Sequence, residues 1–292
     1  MLFAGQTMVS RPLVLAMLCS TISAASAQPG ASDPSRPSPL FDDADAWIDR
    51  PLLLRPGQVQ LGTALEISDT EPEQTAILSS ASVGVNSRAQ LGLAVTECLD
   101  PTTFGALTAT AIRGYNEDLA LRIDAGVSRS AEFGSSTNAY AFGVGAPIKV
   151  KLSPSVAFVS GSTAPTGVGL ALAQGYNTSS SIPTSFGESI LSVVANGDTP
   201  NNYVLTVPAG LLFSMTDRVA VHLHGALQMI YSPPNDVDLF VLAGANLLIS
   251  LRDHVDLVAS LDADLDETHT RSDGDGTPVH VMQLGLGLQG RF

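Results

Sequence analysis

The sequence predicts an all-β chain, a closed up-and-down antiparallel transmembrane β-barrel of about twelve strands, within a range of roughly ten to fourteen. Three observations carry this expectation. Mean hydropathy is positive at +0.23, yet no stretch beyond the N-terminal leader approaches the roughly 20 apolar residues that a spanning helix needs. From Gly57 to Phe292 apolar and polar residues alternate with the two-residue period of strands whose faces meet different surroundings. A short polar turn also recurs before a fresh alternating run: Asn86-Ser87-Arg88, Asn116-Glu117-Asp118, Ser153-Pro154-Ser155, Thr216-Asp217-Arg218 and Arg252-Asp253-His254. Repeated tight turns with more variable connections between them are what a meander makes at one rim.

The leader comes first in the chain. Arg11 is the only charged side chain before the short apolar run Pro12-Leu13-Val14-Leu15-Ala16-Met17-Leu18, and Ala25-Ser26-Ala27 supplies a small-residue cleavage pattern. Residues 1–27 therefore read as a secretory signal peptide rather than a membrane anchor. Cys19 lacks the small residue before it that lipoprotein processing wants. After the cut Cys98 is the one cysteine, so no intramolecular disulfide is possible, and it reads as a small filler near a strand end. The cut removes one of 14 Lys+Arg and none of 28 Asp+Glu. A chain this acidic is not expected to bind nucleic acid, which needs basic patches.

Residues 28–56 are rich in Pro, Ser and Asp, with Pro29, Pro34, Pro37 and Pro39, and show no strand period. They read as a loose tether. Trp47 is the side chain that would dock on the barrel mouth, or insert as a small plug, if any part of the tether did.

Residues 57–292 form the barrel. The strands are expected near 58–68, 75–85, 89–97, 104–114, 119–128, 139–152, 156–163, 203–214, 219–231, 237–251, 255–266 and 279–292. In the first, Val59, Leu61, Leu65 and Ile67 oppose Gln58, Gln60 and Glu66. In the fifth, Leu119, Leu121, Ile123 and Val127 oppose Arg122 and Asp124. The eleventh has one aliphatic and one acidic face. An even count places both chain ends at the short-turn rim. Segment 164–202 is the one long insertion, a constriction or lid, and a further hairpin around Ser189 to Val194 would raise the count to fourteen. Aromatics make up only 5% of the chain, so Tyr140, Phe142, Tyr203, Phe213 and Tyr231 would form a sparse interfacial girdle. Closure follows from hydrocarbon chemistry, because edge N–H and C=O groups left unpaired there cost several kcal/mol each.

The inward parity nominates the lumen. Arg113, Arg122, Asp124, His222, His224, Asp256, Asp262, Asp264 and Asp266 are the pore-lining candidates. His222 and His224 share one face, but two ligands do not make a metal site. The row of aspartates needs water, cations or facing bases, for which Arg113 and Arg122 are candidates across the lumen. Asp273-Gly274-Asp275-Gly276 lacks the later bidentate Glu of a calcium loop. No nucleophile elbow, P-loop or His-Glu-x-x-His motif occurs. No metal, cofactor or enzymatic activity is expected.

The last strand runs Met282-Gln283-Leu284-Gly285-Leu286-Gly287-Leu288-Gln289-Gly290-Arg291-Phe292. An alternating terminal strand that ends in Phe resembles the C-terminal signature of Gram-negative outer-membrane β-barrel proteins. The repeated turn-then-strand pattern is similar to that of porin-like solute transporters, including the hydrocarbon-uptake type. The resemblance implies residence in the outer membrane, short turns and a lead-in on the periplasmic side, and recognition of the strand ending at Phe292 by the barrel-assembly machinery. It implies passive or facilitated passage of small solutes, here through an acidic, cation-favouring lumen. The competing expectations are a closed structural or surface-interaction barrel with binding loops at 164–202 and 267–277, and an outer-membrane hydrolase.

Overall fold

The computed structural model describes residues 46–68, 74–100, 103–132, 135–163, 191–196, 202–232, 236–265 and 282–292. Fourteen strands lie among them: β1 (Val59–Ser68), β2 (Gln74–Asn86), β3 (Ala89–Asp100), β4 (Thr103–Gly114), β5 (Ala120–Glu132), β6 (Ser135–Gly145) and β7 (Ile148–Ser153), then β8 (Val156–Ser160), β9 (Leu191–Asn196), β10 (Asn202–Ser214), β11 (Val219–Ser232), β12 (Asp236–Arg252), β13 (Val255–Asp264) and β14 (Met282–Arg291). All belong to one sheet.

That sheet closes on itself. Antiparallel ladders run from β1 through β6, on to β9, β10 and β11, and through β12 to β14. The ring shuts where β14 pairs with β1, from Gln60↔Arg291 to Ser68↔Gln283. The two ends are laced by reciprocal backbone bonds of 2.7 Å between Val59 and Phe292. The final strand is thus one side of the seam that leaves no edge in hydrocarbon.

Two staves of the ring are each built from two strands. β6 runs through Ala146-Pro147 into β7, which continues beside the start of β5 through the bridge Leu119↔Ile148. β8 and β9 share one slot against β10. Val156 to Val159 pair with Phe213 to Gly210, and Leu191 to Val194 pair with Leu205 to Asn202. Counted by staves the ring has twelve, as expected. Where the sequence reading placed a further hairpin around Ser189 to Val194, the described strand β9 is the upper half of the seventh stave.

The break in that stave has a local chemistry. The chain leaves the wall at Gly161, whose φ of 76° is a conformation that side chains with a Cβ rarely adopt. Opposite the break sits Pro208, in the interior of β10. In an antiparallel strand the N–H and C=O of one residue face the same neighbour, and the Pro208 carbonyl accepts a 2.6 Å bond from Ser160 Oγ. The missing N–H therefore faces the break between β8 and β9, so a proline is tolerated in a stave that has neighbours on both sides.

Alternation sorts the faces as the sequence reading has it. On β3 Leu91 and Leu93 are exposed while Gln90, Ala94 and Thr96 are buried; on β5 Leu121 and Ile123 are exposed while Ala120, Arg122 and Asp124 are buried. Leu284, Leu286, Leu288 and Phe292 continue the outward aliphatic belt on the last strand. Phe142 is also exposed and outward-facing. Tyr140, Tyr203, Tyr231 and Cys98 have side chains outside the described residues, as do the leader, residues 28–45, 164–190 and the loop 267–277.

The five turns fall at one rim with both ends of the barrel. Four are shaped by a side-chain oxygen that accepts an N–H two residues on: Asn86 from Arg88 (2.8 Å), Asn116 from Asp118 (2.9 Å), Ser153 from Ser155 (3.3 Å) and Thr216 from Arg218 (3.2 Å). The repeat legible in the sequence is therefore a repeat of turn chemistry.

Candidate functional site

The inside of the barrel is held by three polar groupings at successively greater depth from the short-turn rim. The first uses a segment read from sequence as a tether. Residues 46–56 are instead folded against the barrel interior. Ala46 to Arg50 make one tight turn, with Asp49 N and Arg50 N both donating to Ala46 O at 2.8 and 3.2 Å. This turn presents Ile48, only 4% exposed, to Ala157, Leu212 and Ala220, flanked by Val159 and Leu248.

Arg50 then reaches the far wall. Its two terminal nitrogens clasp Asp256 in a fork, both at 2.9 Å, and Nη2 also donates to Ser250 Oγ at 2.8 Å. Arg291 donates to the same carboxylate at 2.7 Å. The Arg50 guanidinium lies 3.6 Å over the Trp47 ring, a cation–π contact that desolvation strengthens. Lys149 Nζ donates to Trp47 O (2.9 Å) and Arg50 O (2.7 Å), and Lys151 pairs with Asp49. On the opposite side Leu54 N donates to Gln90 Oε1 at 3.0 Å. Gly84 lies directly against the carbonyls of Leu54 and Arg55, where a Cβ would collide with backbone.

The second grouping is Arg122, Asp124 and Thr110, all inward and buried. Arg122 Nε meets both oxygens of Asp124 (2.7 and 3.0 Å), and Thr110 Oγ1 donates to Asp124 at 2.6 Å. Both charged side chains are 0% exposed. A buried pair is tolerated only when its remaining hydrogen-bonding capacity is met. Here Arg122 Nη1 donates to Ser162 O (2.8 Å), and Gln90 Nε2 donates to Thr163 O (2.9 Å). The chain that leaves the wall at Gly161 is thereby fastened inside the lumen.

The third grouping spans three strands. His224 on β11 is hydrogen bonded to Asp262 on β13 at 2.7 Å, across β12. Register places Gly244 between them, His224↔Gly244 and Gly244↔Asp262, and a Cβ there would fall onto both side chains. The ring of His222 lies 4.9 Å from that of His224, and its Nδ1 lies 3.4 Å from Asn246 Nδ2. Among the described residues no group of three His, Cys, Asp or Glu is placed to hold a metal ion.

Of the sequence-nominated residues, Arg122, Asp124, His222, His224, Asp256 and Asp262 face inward. The side chain of Asp264 and all of Asp266 lie outside the described residues. Arg113 does not join the others. On β4 Thr108, Thr110 and Ile112 are buried inward, which sends Leu107, Ala109, Ala111 and Arg113 to the outer face, where Arg113 is exposed. It sits at the short-turn end of β4, where a long cationic side chain reaches the interface with its stem along apolar surface. Nor do Asp256 and Asp262 form a bare acidic row, since each has a basic partner. Those partners include Arg50 and Arg291, and Lys149 joins them in holding the lead-in. Lys149 had a signal in the alternation of Lys149 and Lys151 with Val150 and Leu152. Arg50 had none, because it lies in a segment without strand period.

An aliphatic exterior, a polar interior and a ring without edges define the class: a closed transmembrane β-barrel of the kind that resides in bacterial outer membranes. No protein-family model matches the sequence, and no curated protein matches it. Solved structures do. The KdgM porin is 9% identical with a TM-score of 0.45, covering 80% of this chain and 99% of its own. The translocator domain of autotransporter NalP from Neisseria meningitidis is 10% identical with a TM-score of 0.47, covering 80% and 88%. A bacterial polysaccharide outer membrane secretin is 9% identical with a TM-score of 0.48, covering 82% and 99%. At these values the likeness is one of barrel to barrel.

Proposed function

We infer that the chain is an outer-membrane channel for the passive passage of small polar solutes. The observation that carries this reading is the twelve-stave ring whose outward side chains are aliphatic and whose inward side chains are polar and charged. A water path needs a polar lining, which these inward side chains supply. Twelve staves give a lumen between the filled interiors of small barrels and the open channels of large porins. Asp124 and Asp256 are paired with arginines and Asp262 is bonded to His224, and the channel's cation preference arises from the acidic connections at the other rim. The strand ending at Phe292, zipped to β1, is the segment that the barrel-assembly machinery would engage.

A second reading, a closed barrel acting through its loops, is favoured by the folding of residues 46–56 across the short-turn mouth. Liposome swelling separates the two. Purified mature chain in vesicles loaded with a large sugar should admit small sugars and amino acids, at least once residues 46–56 are released. Swelling indistinguishable from protein-free vesicles in both the native and the released form would sink the channel.

A further inference from the structure

The geometry points to residues 46–56 as a built-in stopper that closes the periplasmic mouth of the lumen and must let go before solute passes. This inference rests on the channel reading above and adds its regulation.

The first argument is placement. A segment lying along the wall would touch neighbouring staves only. This one is bound by Gln90 on β3, Lys149 on β7 and Asp256 on β13, and it seats Ile48 against β8, β10 and β11. Those strands are distributed around the ring. A chain of eleven residues can meet all of them only by lying across the opening. Asp256, Ser250, Ala157 and Ala220, which face the lumen near that rim, are correspondingly buried.

The second argument is the fastening. Two buried aliphatic side chains, Ile48 and Leu54, with half-buried Trp47, Leu52 and Leu53, supply the apolar hold. The rest is polar: a guanidinium on a carboxylate and an ammonium on two carbonyls. Such links weaken when water and ions enter. The seat is also incompletely satisfied, because Trp47 Nε1 and Arg291 Nε are buried with no hydrogen-bond acceptor among the described residues. Buried donors without partners oppose docking. The segment is thus held firmly enough to close the mouth and loosely enough to leave it. On release it stays attached, since it runs directly into β1.

The chain has a single tryptophan, so Trp47 fluorescence reports the stopper independently of conductance. The test uses the full mature chain in detergent and in planar bilayers, with heat-modifiable migration confirming that each variant is folded. In the native chain Trp47 emission should be blue-shifted and resist acrylamide, and openings should be rare. Arg50→Gln with Ile48→Ser leaves Asp256 paired to Arg291; it should red-shift Trp47, expose it to quencher and raise mean conductance several-fold. Ile48→Cys with Ala220→Cys, in a Cys98→Ala background, should be silent when oxidised and conduct on reduction.

If native Trp47 is quenched as readily as free tryptophan, the stopper is refuted whatever the conductance. If Trp47 is released while conductance stays at a measurable native level, the stopper is refuted and the channel stands. If Trp47 is released and no form conducts, the channel reading itself is refuted, and the stopper with it.

Discussion

Gly244 shows how one absent side chain builds a site. His224 and Asp262 stand two staves apart, too far to meet unless the residue between them has no Cβ. Gly244→Ala would place a methyl against the Asp262 carboxylate, His224 Nε2 and the Leu261 carbonyl. The expected cost is on the order of 1–3 kcal/mol, through loss of a buried hydrogen bond and local strain. It would be read as a lower urea midpoint for the heat-modifiable band. Gly105→Ala is the matched control, because a Cβ there meets nothing within 4 Å and alanine in a strand is favoured over glycine by about 0.5–1 kcal/mol. An equal loss at both positions would mean that the His224–Asp262 clasp contributes nothing. At this scale the sequence was legible in parity but not in partnership. Alternation put Arg122, His224, Asp256 and Asp262 on the inner face, yet their partners depend on contacts between distant segments. Arg113 went astray because Ile112, an apolar residue, takes the inward position and inverts the rule that polar means lumen.

Strands are where the sequence spoke most plainly, because a period of two survives any register and four of the five turns carry their own side-chain acceptor. Asn86, Asn116, Ser153 and Thr216 mark the turns locally, so no distant contact is needed to find them. The joining of the seventh stave from two halves escaped for the opposite reason. Its halves, Val156–Ser160 and Leu191–Asn196, are separated by a long insertion, and five or six alternating residues apiece are too short to declare that they share one slot. The lead-in escaped because a Pro- and Asp-rich composition matches that of a tether, while its docking partners reach from Gln90 to Arg291. The outer belt gives the element-scale prediction. Leu286 pairs with Leu65 and Ala259 near the middle of β14 and is exposed to lipid. Leu286→Arg should cost about 2–4 kcal/mol in a bilayer, whereas Leu251→Arg, at the short-turn end of β12, should cost about 0–1 kcal/mol. Equal penalties in refolding titrations would contradict the assigned depth of the staves.

The whole molecule carries a net charge of −14, and that charge is unevenly placed. Seven of the 28 acidic residues, but one of the 14 basic ones, belong to two connections at the rim opposite the short turns. Asp69, Glu71 and Glu73 lie between β1 and β2, and Asp266, Glu267, Asp273 and Asp275 lie between β13 and β14, against Arg271 alone. Because β14 pairs with β1, these two connections spring from adjacent hairpins, and we propose that their carboxylates set the field at that mouth. Among the described residues of the wall deeper in the lumen, Asp124 and Asp256 are paired with arginines and Asp262 is hydrogen bonded to His224. Such a field attracts cations to the entrance and decays over a Debye length of about 10 Å at 0.1 M salt and about 3 Å at 1 M. With the stopper released, the reversal potential in a KCl gradient near 0.1 M should therefore show cation preference. Neutralising the first connection with Asp69→Asn, Glu71→Gln and Glu73→Gln should reduce it, and the same substitutions should change little near 1 M. An anion-preferring channel, or a preference indifferent to both salt and these substitutions, would place the selecting charge in the matched wall instead of at the rim.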